Sequence, residues 1–164
     1  MELNKNYFKL LKKLHNLNAF KVKNFNSKKI LFISSFFYQH TVAKLFYRFV
    51  KEFCHINEDN IHLLHTSQTQ DDWTEKFKNL NLQYWQITEP NKIHNFLLNH
   101  KFETIIFLDH SMSNITQYIL LNKYAKNYLI LWGHPITTGC ENVDYFISSQ
   151  LMDDKNDDHY SEKL

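Results

Sequence analysis

The stretch KKILFISS, residues 28–35, places the short apolar run ILFI between two lysines and two serines. An unbroken apolar run of this length, rich in residues that favour strands, is typical of a β-strand covered on both faces. The following stretch, TVAKLFYRFVKEF (41–53), repeats its apolar residues at helical spacing instead. A buried strand followed by an amphipathic helix predicts that the chain is built from β-α units.

The alternation continues to residue 149. Further strands are predicted in IHLLHTS (61–67), LQYWQIT (82–88), TIIFLD (104–109), YLILW (128–132) and VDYFISS (143–149). Helices are predicted in DDWTEKFKNL (71–80), NKIHNFLLNH (91–100) and ITQYILLNKYAK (115–126), the last capped by Ser113 or Asn114. An amphipathic helix is also predicted at the start, from apolar residues at 7, 10, 11, 14 and 17. This order predicts an α/β fold with a doubly wound, mostly parallel sheet.

Composition and charge exclude several classes of protein. The formal net charge is +2, so no strong overall field indicates a nucleic-acid or membrane partner, although residues 1–29 carry eight lysines and one glutamate. No apolar run approaches the length of a membrane-spanning helix, and no secretory signal pattern opens the chain. The two cysteines, Cys54 and Cys140, lie far apart, as expected for reduced thiols in a cytoplasmic protein.

Ligands of doubly wound sheets bind beyond the carboxyl ends of the strands, so the loops that follow the strands hold the candidate residues. His40 follows the first predicted strand, where a helix begins, and could act as a base, hold an anionic group or simply cap that helix. Asp109 ends the fourth predicted strand and is either a site residue or a helix cap. The stretch after the fifth strand, 132–139, completes a set of three loops at one edge.

The stretch WGHPITTG (132–139) contains both glycines of the chain. Gly133 and Gly139 permit a positive φ or a close approach of the backbone to another group, and Pro135 rigidifies the bend between them. A structural turn between two buried strands is one interpretation. Because glycine is absent elsewhere, close approach of the backbone to a ligand is the interpretation we favour.

The sequence lacks the residues that a phosphate-binding loop or a metal site needs. The first loop has none of the glycines of a phosphate-binding motif. His62 and His65 stand three apart on a predicted strand, so they point to opposite faces and make a poor metal pair. We therefore expect no metal and no cofactor.

Three segments carry a resemblance to a known family: SSFFYQH (34–40), WGHPITTGCENVDYFISS (132–149) and DHYSEKL (158–164). Together they resemble the N-terminal half of the catalytic region in the O-linked N-acetylglucosamine transferase family, chiefly its bacterial tetratricopeptide-repeat members. The segment FLDHSM (107–112) is similar to a further loop of that family. The resemblance covers about residues 28–164.

The resemblance implies an inverting, metal-independent glycosyltransferase of the two-lobed GT-B type, in which this sheet is the Rossmann-like N-terminal lobe. It implies that His40 lies near the donor sugar, where it has been proposed as a catalytic base. It also implies a set of substrate-binding residues: Asp109, Met112, Trp132, Gly133, His134, Pro135, Thr137, Thr138 and Gly139. The implied substrates are a nucleotide sugar such as UDP-N-acetylglucosamine and a Ser or Thr hydroxyl of an acceptor protein.

The sequence departs from the family pattern in two loops. Phe36 stands where the family usually has aspartate, and Ser111 replaces a glycine. We expect residues 1–27 to form a basic helix and linker and residues 28–164 to form the lobe. Nothing in the sequence corresponds to the C-terminal, donor-binding lobe, so we expect that partner in cis or in trans. The chain is then inactive alone, a subunit of a split enzyme, or a non-catalytic binding or scaffold module.

Overall fold

The computed structural model describes residues 6, 7, 9–11, 13, 27–56, 60–133, 136–149 and 160–164. Their six strands are β1 (Ile30–Ser34), β2 (Ile61–His65), β3 (Gln83–Gln86), β4 (Thr104–Phe107), β5 (Asn127–Leu131) and β6 (Tyr145–Ile147). Four helices lie between them: α1 (Thr41–Ile56), α2 (Asp72–Lys78), α3 (Pro90–His100) and α4 (Asn114–Leu120).

The strands form one sheet in the order β3-β2-β1-β4-β5-β6, and all five pairs are parallel. The helices cover both faces of this sheet. Leu31 and Ile33 pack into one apolar cluster with residues of α3 and α4, whereas Phe32 packs into the other with residues of α1 and α2. The predicted doubly wound α/β fold is confirmed, and the sheet is entirely parallel among the described strands.

The predicted helix over 115–126 is wrong in its second half, because α4 ends at Leu120. The Tyr128 hydroxyl donates to the carbonyl of Asn122 at 2.9 Å and accepts from the amide of Tyr124, also at 2.9 Å. These tertiary hydrogen bonds take the place of helical ones, and periodicity alone gives no sign of them.

The opening helix is described only in part. Residues 6, 7, 9–11 and 13 are helical, and Leu11 packs against the cluster of α3 and α4. The Tyr7 hydroxyl donates to Oε1 of Gln117 in α4 at 2.7 Å. Leu14 and Leu17, also predicted for this helix, lie outside the described residues.

None of the helices described is long and apolar enough to cross a membrane.

Two histidines of β2 are buried on opposite faces of the sheet, as the strand periodicity predicts. Burial, helped by the nearby Lys29 and His100, lowers the pKa of His62 to about 4. Burial is also the main cause that lowers the pKa of His65 to about 4. Both side chains are therefore neutral in the folded protein at pH 5, whereas in the unfolded chain they are protonated there.

We expect the free energy of unfolding to fall as the pH drops from about 6.5 to 4. In that range the unfolded state takes up protons on His62 and His65, whereas the folded state does not. At pH 5 this lowers the free energy of unfolding by about 2 kcal/mol for each histidine. Asp109 opposes part of this loss, because burial raises its pKa to about 6. Urea titrations at pH 7.5 and 5.0 measure the difference.

His62→Leu should make the difference between the two pH values smaller by about 2 kcal/mol. His55→Leu is the matched control, since His55 is exposed in the last turn of α1. An unchanged pH dependence in His62→Leu would contradict this account of β2.

Candidate functional site at the carboxyl edge of the sheet

The order of strands reverses its direction between β1 and β4. The chain leaves β1 toward α1 on one face and leaves β4 toward α4 on the opposite face. In open parallel sheets the crevice between two such loops is where ligands bind. The loop after β5, the neighbour of β4, lies at the same edge, so the three predicted loops converge there.

Asp109 follows β4 at this reversal and has no exposed surface. Its carboxylate accepts hydrogen bonds from the Ser34 hydroxyl, from the Thr116 hydroxyl at 3.2 Å and from the Ser35 amide. Burial raises the pKa of Asp109 to about 6, although these three donors oppose the rise. The carboxylate thus links the end of β1 to the end of β4 and the first turn of α4.

A chain of hydroxyl groups extends this link across the edge. Ser35 Oγ lies 2.7 Å from Thr66 Oγ1, after β2, and 2.7 Å from Ser113 Oγ, after β4. Ser113, one of the two predicted caps, is the N-cap of α4 and accepts from the Thr116 amide at 3.4 Å. The apolar periodicity does not predict this network, although Ser35 and Thr66 come directly after β1 and β2 in the sequence.

His40 is half-buried at the start of α1. Its Nδ1 accepts a hydrogen bond from the Val42 amide at 3.2 Å, which makes His40 the N-cap of the helix. The imidazole stacks on the ring of Phe36, with centroids 4.3 Å apart and planes 22° from parallel. The structure therefore confirms that His40 caps α1, which is one of the three roles left open for it.

Trp132 and Gly133 follow β5 and pack against the neighbouring elements. The Trp132 ring meets the Phe46 ring of α1 edge-on, with centroids 5.1 Å apart. A Cβ on Gly133 would lie 2.5 Å from the carbonyl oxygen of Leu108 and 3.0 Å from the Phe46 ring. The backbone of Gly133 thus packs against the residue that follows β4. This contact within the chain requires a glycine whether or not a ligand is bound.

Thr137 and Thr138 are bound by the SEKL segment, which the resemblance placed in a separate motif. The carboxylate of Glu162 is buried and accepts from the Thr137 hydroxyl at 2.7 Å, the Thr138 amide at 2.9 Å and the Thr138 hydroxyl. Burial alone would raise the pKa of Glu162, but these donors outweigh it and hold the pKa below its usual value. Residues 137 and 138 are therefore anchored from within the chain.

Gly139 needs its glycine for a different reason. Its φ of 67° lies in the left-handed region, and its amide donates to Ser161 Oγ at 3.1 Å. Residues 140–144 then lead to β6. There the Phe146 amide donates to the Lys163 carbonyl at 2.9 Å, so that Lys163 extends the edge of the sheet. Gly139 is thus a turn residue, as one of the interpretations held.

The remaining predicted residues divide into two groups. Met112 is exposed in the loop between β4 and α4, at the same edge as Asp109. His134 and Pro135 lie outside the described residues. Among the residues that are described, no three His, Cys, Asp or Glu side chains come together as metal ligands do.

The all-parallel sheet and its strand order define a Rossmann-like α/β protein, with a candidate site at the strand-order reversal. No protein-family model matches the chain, and no curated protein matches its sequence. Among solved structures, the chain is similar to a mutant O-GlcNAc transferase from Thermobaculum terrenum, with a TM-score of 0.68 and 17% sequence identity. The match covers 90% of this chain and 29% of that one, so the chain spans less than a third of its neighbour's length.

A likeness at this identity shows the fold and not membership of a family. The shared fold agrees with the Rossmann-like lobe that the resemblance implied.

Gly133→Ala should lower the free energy of unfolding by about 1–3 kcal/mol, because the added methyl group meets the Leu108 carbonyl. Urea denaturation at pH 7.5 measures the change. Phe46→Leu in the same chain should not rescue the variant, because the backbone oxygen is nearer than the ring. A Gly133→Ala chain as stable as the unaltered one would refute the close approach.

Glu162→Ala should destabilise the protein by about 1–3 kcal/mol, because it leaves the donors of Thr137 and Thr138 without their acceptor. Glu162→Gln keeps one acceptor oxygen and should cost less. Hydrogen exchange of the Thr138 amide should speed up in both variants. The exposed Glu52→Gln in α1 is the control, and unchanged exchange at Thr138 in Glu162→Ala would contradict the anchoring.

Proposed function

We propose that this chain forms the N-terminal lobe of an inverting glycosyltransferase. In this proposal a sugar, N-acetylglucosamine in the first instance, passes from a nucleotide donor to Ser or Thr hydroxyls of a protein. A second lobe, in cis or in trans, supplies the contacts to the donor diphosphate. The Rossmann-like fold, the solved neighbour and the three motif segments support this proposal.

The chemical character of the carboxyl edge is the observation that carries it. The sequence segments that follow β1 to β5 (35–40, 66–71, 87–89, 108–113 and 132–144) contain no lysine and no arginine. They present half-buried aromatic side chains instead, Phe36, Tyr38 and Trp132, beside the network of hydroxyl groups. Apolar ring faces without a lysine or arginine beside them suit a neutral, polyhydroxylated sugar better than a phosphate.

The same edge has no lysine or arginine in these five segments to meet the charge that the reaction develops. Inversion requires the acceptor oxygen in line behind the anomeric carbon while the charge on the leaving diphosphate is stabilised. The N-termini of α1, α2 and α4 lie at this edge, but the side chains of His40, Asp71 and Ser113 already cap them. In this proposal a cation of the second lobe therefore supplies the stabilisation.

A second candidate is a non-catalytic binding or scaffold module. It is favoured by one specific observation: Asp109, Thr137, Thr138 and Gly139 all have hydrogen-bond partners within the chain. Residues that hold the fold together would persist in a chain that no longer turns over substrate. Activity therefore decides between the two candidates.

We expect the purified chain alone to give no heat of binding when it is titrated with UDP-N-acetylglucosamine. An epitope-tagged full chain, isolated from its source cell with its assembly intact, should transfer labelled sugar from that donor to protein. Alkaline β-elimination should release the label, as it does from Ser and Thr linkages.

Each half of this experiment can contradict the proposal. Saturable micromolar binding to the chain alone would refute the need for a second lobe. Absence of transfer by the intact assembly would leave the scaffold module as the function. His55→Ala, at the opposite end of α1 from His40, is the control variant that should leave transfer unaffected.

A further inference from the structure

The imidazole of His40 is held by two contacts that act on different parts of the ring. The Val42 amide donates to Nδ1 at 3.2 Å, and the Phe36 ring covers one face at 4.3 Å between centroids. Tyr38 adds an edge contact, with its centroid 5.9 Å from the imidazole. A ring bonded at one nitrogen and stacked on one face has a single orientation.

The contact with Val42 also fixes where the ring carries its proton. An amide N–H donates only to a nitrogen with a free lone pair, so Nδ1 is unprotonated. A neutral imidazole has one N–H, which is then on Nε2. The other contact, with Phe36, is a ring face without a hydrogen-bond acceptor. It therefore does not stabilise the tautomer that carries its proton on Nδ1. Within the described part of the chain, no group accepts a hydrogen bond from Nε2.

We propose that His40 serves the site as a hydrogen-bond donor through Nε2–H to a sugar oxygen, and not as the base that deprotonates the acceptor. This inference rests on the proposed function for the identity of the ligand. The lone pair that a base needs at Nε2 is occupied by a proton. Moving that proton to Nδ1 would place two N–H groups against each other and remove the cap of α1.

The first test reads the tautomer directly and needs no activity. In the uniformly ¹⁵N-labelled chain at pH 8, long-range ¹H–¹⁵N correlation spectra distinguish a protonated ring nitrogen from an unprotonated one. The signals of His40 are those absent from the spectrum of His40→Gln. We expect Nδ1 to be unprotonated and Nε2 protonated, and the reverse assignment would overturn the proposal.

The second test compares three replacements in the transfer assay of the intact assembly. His40→Ala removes both the cap and the donor and should lower turnover about 10- to 100-fold, the effect of one lost hydrogen bond to substrate. His40→Gln supplies an amide N–H at similar reach but cannot take up a proton at neutral pH. We expect the turnover of His40→Gln to be at least about tenfold higher than that of His40→Ala.

His40→Asn is the control for the helix cap. Asparagine is a good N-cap residue, but its side chain is shorter than that of glutamine. Recovery in His40→Gln and not in His40→Asn supports the donor role. Equal recovery in both would mean that the cap alone mattered, and a loss of 10²- to 10⁴-fold in all three variants would indicate a base. Failure of the proposed function itself would appear as no transfer by the unaltered chain, whatever the spectrum shows.

Discussion

A carboxylate that no water reaches must be surrounded by donors, and Asp109 imposes that requirement on the centre of the sheet. Ser34 at the end of β1 and Thr116 in the first turn of α4 both point their hydroxyls at it. Removing either donor would leave a buried oxygen unsatisfied, at a cost of about 1–3 kcal/mol. The seam between β1 and β4, where the chain changes from one face of the sheet to the other, is held together at this point.

A second buried carboxylate organises the far side of the same edge. Glu162 comes from the SEKL segment and binds Thr137 and Thr138, 24–25 residues earlier in the chain. The two motifs that look independent in the sequence are therefore partners in one hydrogen-bonded unit. Gly139 turns the backbone with its positive φ within that unit, and Gly133 allows contact with β4 just before it. Both glycines of the chain thus have structural reasons for being there.

The sequence predicted the strands and the class of fold because runs such as ILFI and TIIF are too apolar to face water on either side. It failed at residues 121–126, where apolar spacing continues but the hydroxyl of Tyr128 holds the backbone in another conformation. It also missed Ser35 and Thr66, because hydroxyl side chains leave no periodic trace and their partners come from distant strands. The three converging loops were predictable from the parallel topology alone.

The candidate site itself was predictable only as a location. His40 was open to several interpretations because a sequence does not show which ring nitrogen is engaged. The contact between its Nδ1 and the Val42 amide is what separates a donor from a base. The same limit applies to Asp109, whose carboxylate the sequence could not distinguish from a ligand-binding group.

The charge distribution joins these observations. Asp109 and Glu162 are both buried and surrounded by donors, and the segments after β1 to β5 contain no lysine or arginine. The edge therefore offers the half-buried rings of Phe36, Tyr38 and Trp132, and the exposed charged side chains in these segments, Glu89 and Glu141, are acidic. Such an edge suits the uncharged part of a nucleotide sugar, while the two phosphates of the donor need cations. Under the proposed function, a second lobe supplies those cations and stabilises the leaving group, while this lobe contacts the sugar.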